Sequence, residues 1–108
     1  MLKVYQMNLV EESESEDYEN NLEAFRGRYD GSKSFSPSLF KYYSCKAHLN
    51  TDDLDEAFVL MNRWSDSDRL KIDLLSDRVA SLSVGDILES ELGTMYMVDP
   101  MGFQEVRV

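Results

Sequence analysis

Cys45 and His48 are the only soft metal ligands in this chain of 108 residues, three positions apart in the stretch YYSCKAHLN. That spacing looks like half of a zinc site. A regular strand, however, turns residues three apart to opposite faces. A zinc centre also takes four protein ligands, or three and a water. With one Cys and one His in the chain the set cannot be completed, so Cys45 is expected in the core and His48 at the surface. Any nucleophile–base pair would have to use His48 as well. No nucleophile elbow of the GxSxG kind stands in the sequence. The glycines at 27, 31, 85, 93 and 102 never cluster into a loop that could cradle phosphate.

Carboxylates are the abundant chemistry. Asp52, Asp53, Asp55 and Glu56 crowd one short stretch, and Asp66 with Asp68 makes a DxD. Neither cluster has the central glycine of a calcium loop. Paired carboxylates acting on a glycoside need a sugar cleft, for which a chain this short has little room. A second cluster, Glu11, Glu12, Glu14, Glu16, Asp17 and Glu19, lies in the run EESESEDYENN. The plainer account of such a run is a solvated loop or a fraying helix start. Tyr18, Phe25 and Tyr29 accompany it, and Phe35, Phe40, Tyr42 and Tyr43 follow. Aromatic side chains beside carboxylates suit a protein-binding face, with the rings as anchors and the charge as steering. The plainer account is that these rings build the core. No catalytic residue, metal or cofactor is expected.

The charge sets limits on partners. There are 21 acidic and 11 basic residues, a net charge of −10. Phosphate backbones are bound by clustered cations, so direct nucleic-acid binding is not expected. Anionic membrane surfaces are excluded on the same ground. The expected partner is a protein with a basic surface. An acidic face can then stand where a duplex presents phosphates, in the manner of a DNA mimic, unless the charge serves solubility alone. A single cysteine allows no internal disulfide, which fits a reducing compartment. No apolar run approaches the ~18 residues of a membrane span. The start MLKVYQMNLVEE lacks a signal-peptide pattern, so a cytoplasmic protein, in a bacterial host, is expected.

Elements must position these groups. The clearest is the helix from Asp53 to Trp64, where Leu54, Ala57, Phe58, Met61 and Trp64 recur at helical spacing. Thr51, Asp52 and Asp53 suit its start, and Asp53 with Glu56 fits a capping box loosely. Leu39 to Leu49 reads as a half-buried strand alternating Tyr43, Cys45, Ala47 and Leu49 against Tyr42, Ser44, Lys46 and His48. Met1 to Val10 has apolar residues on both parities, so it reads as a central strand or one covered on both faces. Short helices are expected at Asn20–Tyr29 and Arg69–Arg78, and a loop at Gly31–Ser38. The last quarter reads as a three-strand meander, with turns at Leu92-Gly93 and at Asp99-Pro100-Met101-Gly102.

Two stretches carry a resemblance. Leu54-Asp55-Glu56-Ala57-Phe58 with Asn62 is the first. The second is Ser81-Leu82-Ser83-Val84-Gly85-Asp86-Ile87 with Tyr96-Met97-Val98 and Gly102-Phe103. Over Tyr43 to Val106 the chain resembles a group of small, mostly uncharacterised proteins of bacteriophages, plasmids and related mobile elements. They pair a β–α unit of this kind with an SLSVGD…YxV…GF ending. Some sit among accessory or anti-defence genes. The resemblance implies a genetic setting more than an activity, and it reads Gly85, Gly93 and Gly102 as turn formers.

The expectation is a single α+β domain over residues 1–108. It has a small antiparallel or mixed sheet of about five strands, one main helix packed across it and one or two short helices. Trp64, Phe58, Met61, Leu54, Cys45, Leu49, Val84 and Ile87 are expected in the core. The function expected is that of a non-enzymatic, acidic binding protein of a phage or other mobile element. Its partner surface would be Glu11, Glu12, Glu14, Glu16, Asp17 and Glu19 with Asp52, Asp53, Asp55 and Glu56. The alternative is a structural or regulatory module that homo-oligomerises through aromatic and Met residues.

Overall fold

A computed structural model describes residues 1–7, 32, 35, 37–62, 71–76 and 79–108. The chain begins with strand β1 (Leu2–Met7). A 3-10 helix (Pro37–Tyr42) leads into β2 (Tyr43–Leu49). The helix α1 (Leu54–Asn62) follows, then the short β3 (Ile72–Leu74). Strands β4 (Ile87–Glu89), β5 (Met95–Asp99) and β6 (Gly102–Val106) close the fold. They form one six-stranded sheet in the order β3-β2-β1-β4-β5-β6. Every neighbouring pair is antiparallel. The α+β class therefore holds, with six strands instead of about five. Among the described residues there is one α-helix, accompanied by the 3-10 helix. No described helix is long and apolar enough to cross a membrane.

β1 is a central strand, as its two-sided apolar pattern implied. Leu2 and Val4 are buried on the face that α1 covers, in a cluster with Ala47, Leu49, Ala57, Leu60, Leu88 and Val98. Tyr5 and Met7 point the other way, into a second cluster built on Tyr43, Ile87, Met95 and Met97. The 3-10 helix roofs that second cluster. The Phe40 ring stacks on Tyr43 at 5.8 Å and meets Tyr5 at 5.2 Å, and Phe35 meets Tyr43 edge-on. Leu39–Tyr42 is thus not strand. Its turn swings Phe40 back over the sheet to cover rings that an extended chain would leave in water.

β2 departs from simple alternation. Val4 lies opposite Ala47 but Tyr5 lies opposite Cys45, so Lys46 is an extra residue inserted in β2 between two consecutive positions of β1. The bulge flips the pleat. Tyr43 and Cys45 fall on the Tyr5 face, while Ala47 and Leu49 fall on the α1 face. A strand that reads as one-sided therefore feeds both cores. The expectation that residues three apart here face oppositely fails for the same reason. Cys45 opposes Tyr5 and His48 opposes Lys3, so the two share a face.

Other expectations change at the edges of elements. The stretch Arg69–Arg78 contains β3, where Ile72 and Leu74 pair with Leu49 and Ala47. Ile72 breaks the helical spacing because it belongs to a strand. On α1 the inward side is Ala57 and Leu60, with Leu54 and Met61 partly buried. Phe58 is 43% exposed, since the sheet meets the Ala57 and Leu60 side of the helix. Leu49 and Ile87 are buried, and Cys45 and Val84 are half-buried. Trp64, the Asn20–Tyr29 helix and the Glu11–Glu19 run lie outside the described residues.

The meander of β4, β5 and β6 is as expected. Gly93 (φ +85°) closes the first hairpin, with its N–H donating to the Ser90 carbonyl. Asp99 pairs with Gly102 across Pro100-Met101. A buried polar network secures the turn before β4. The Asp86 carboxylate accepts the Ser83 N–H at 2.9 Å and the Gln6 amide at 3.1 Å. The Gln6 side chain also exchanges two hydrogen bonds with the Ala80 backbone.

Candidate functional site

The described part of the expected acidic surface, Asp52, Asp53, Asp55 and Glu56, sits where β2 passes into α1. The local chain explains the shape. The Thr51 hydroxyl accepts the Asp53 N–H at 3.1 Å. The Asp53 carboxylate then accepts the N–H groups of Asp55 and Glu56, at 2.9 and 3.3 Å, and so caps α1. That is the capping role expected of Asp53. The reciprocal half of a capping box is absent among the described residues, because the Asp53 N–H goes to Thr51 and Glu56 turns to Lys71 at 3.3 Å.

Asp52 has a structural partner too. The Met1 ammonium group donates to its carboxylate and, at 3.1 Å, to Glu91 from the β4–β5 turn. These hydrogen bonds, Asp52 first, raise the ammonium pKa above its ordinary value. Asp52 and Glu91 remain 76% and 68% exposed. Three of the four expected carboxylates thus help to build the corner of the molecule on which they stand. Asp55 has no side-chain partner among the described residues. The structure brings Asp52, Asp53, Asp55 and Glu56 together, with Glu91 added. Glu91 is distant in sequence, and its only signal was the adjacent Leu92-Gly93 turn. Glu11, Glu12, Glu14, Glu16, Asp17 and Glu19 lie outside the described residues.

The second place where reactive groups gather is the sheet face opposite α1. The β2 bulge aligns Asp73, His48, Lys3 and Glu89 in one row across four strands, with Cys45 and Tyr5 in the next. The Tyr5 hydroxyl donates to Glu89 at 3.0 Å, and the Lys3 ammonium lies 4.0 Å from the same carboxylate. Burial, helped by the Glu89 hydrogen bond, pushes the Tyr5 hydroxyl up to about 12. Burial also pushes the Cys45 thiol upward. A thiol is a nucleophile as the thiolate, so this environment quietens Cys45. Among the described residues no group of three or more His, Cys, Asp and Glu side chains is arranged to hold a metal ion.

No protein-family model matches the chain, and neither the curated proteins nor the solved structures contain a match.

Proposed function

We propose that this is a non-enzymatic binding protein that presents carboxylates to a basic surface on another protein, and that it belongs to a phage or other mobile element. The observation that carries the reading is the α1 corner. Asp52, Asp53, Asp55 and Glu91 stand exposed together there, on a chain of net charge −10. Like charges held on one rigid corner concentrate the field that steers a cationic partner. The mobile-element setting rests on the LDEAF…N and SLSVGD…YxV…GF stretches. The run Glu11–Glu19 is proposed as a further part of the same surface. A nucleic-acid-binding protein is the partner that such a surface suits best, because it already presents cations spaced for phosphates.

The test is capture of partners from bacterial lysate at low and high salt, with identification by mass spectrometry. The expected result is a nucleic-acid-binding protein that is released by high salt, displaced by added DNA, and captured less by an Asp55→Lys, Glu91→Lys variant. A blank, or partners indifferent to salt, DNA and both substitutions, would leave the charge as a solubility device and sink the reading.

A further inference from the structure

Beside the acidic corner runs an open groove of about 650 Å³. One wall is the outer side of α1, where Phe58 and Val59 are 43% and 49% exposed. The others are Val84, from the turn before β4, and Phe103 on β6. Met101, at the tip of the β5–β6 hairpin, is 97% exposed. Single exposed apolar residues are ordinary on a protein surface. Phe58, Val59, Val84 and Phe103, drawn from a helix, a turn and a strand, line one groove together, and such patches mark contact sites. The rim of the groove includes Asp55, the one carboxylate of the corner whose oxygens have no hydrogen-bond or ion-pair partner among the described residues.

We propose that this groove docks a short segment of the partner protein that carries an apolar anchor next to Lys or Arg. The anchor lies over Phe58, Val59 and Phe103, and the cation meets Asp55. Charge complementarity selects this occupant. A second copy of this chain carries the same net charge of −10 and is repelled as a whole, and nucleic acid would set phosphates against Asp55 and Asp52. The proposal rests on the acidic-surface reading above and adds to it an apolar half, which gives affinity where charge alone gives steering.

The test is selection from a display library of random peptides about twelve residues long, enough for the few anchors that such a groove takes. Enriched peptides are synthesised and titrated against wild type, the Phe58→Ser, Val59→Ser double variant and Asp55→Asn. Circular dichroism verifies that each variant is folded. The expected consensus pairs Phe, Leu, Met or Trp with Lys or Arg. Affinity should fall about tenfold or more in the double variant, as loss of a buried anchor does. For Asp55→Asn it should fall about two- to fivefold, and more at low salt, as for an exposed ion pair. Basic peptides that bind both proteins alike and are released by salt would overturn the groove and leave the acidic surface standing. Apolar peptides without basic residues, lost in the double variant, would show a groove whose occupant is not selected by charge, overturning the basic occupant, while the acidic reading stands or falls by the lysate capture above. No enrichment over the double variant would overturn the proposal outright.

Discussion

At the scale of single residues, Tyr5 and Cys45 illustrate how a site can be assembled without being activated. Both were visible in the sequence as polar-tipped residues of strands. Their grouping with Lys3, His48 and Glu89 was not, because it depends on the register slip at Lys46, and a bulge leaves no mark in an alternating pattern. The consequence for titration has a definite sign. Burial in the folded protein pushes the Tyr5 hydroxyl up to about 12, whereas an unfolded tyrosine releases its proton around the ordinary value of 10.0. The folded state therefore binds the proton more tightly. The associated stability is present in full below pH 10 and drains away as the pH rises toward 12. Tyr5→Phe has no such proton to lose. Urea unfolding of the two proteins between pH 9 and 12 should show the wild type losing stability more steeply, and parallel curves would count against the burial of the Tyr5 hydroxyl beside Glu89.

At the scale of elements, α1 shows what helical periodicity leaves open. Its existence, its Asp53 cap and the inward Leu54, Ala57 and Met61 were legible, because a cap and a three-four spacing are local signals. The boundary of the buried stripe was not, since either Phe58 or Leu60 completes a face with Ala57, and the sheet decides between them. Leu60 is 2% exposed and Phe58 43%. Replacing a buried leucine with alanine costs about 2–5 kcal/mol through lost transfer energy and the cavity left behind. A surface substitution away from such contacts usually stays within about 0.5 kcal/mol. Chemical denaturation should therefore find Leu60→Ala severely weakened and Phe58→Ser close to wild type. The reverse order would restore the face read from the sequence. β3 was missed for a related reason: three residues are too few to show a period, and its pairing with β2 is a tertiary fact.

At the scale of the molecule, composition foretold the electrostatics better than the position of any single group. Net charge is additive and needs no fold, whereas the meeting of Met1 with Asp52 and Glu91 needs three separate segments to converge. The sum of −10 is self-repelling in the compact state. Salt shortens the reach of that repulsion, from about 30 Å at 0.01 M to about 10 Å at 0.1 M. Thermal unfolding should accordingly shift upward in Tm between those concentrations of sodium chloride. A flat or falling Tm would mean that local pairs such as Glu56–Lys71 outweigh the collective term.

The order of the sheet has a kinetic side. The strand made first, β1, lies in the middle, and its second partner is β4: Lys3 pairs with Glu89 and Tyr5 with Ile87. On the ribosome one flank of β1 can zip to β2 as soon as Tyr43–Leu49 emerges. The other flank must wait, bare, until the Ile87–Glu89 segment has been synthesised and released. Pairings of such long sequence separation fold slowly, in milliseconds to seconds, because loop-closure entropy is spent before the contacts form. An unpaired strand edge is in the meantime a template for other nascent chains. Carboxylates scattered over the sequence repel neighbouring chains during that interval, so the charge that we propose as a docking surface also has work to do before the molecule has a fold.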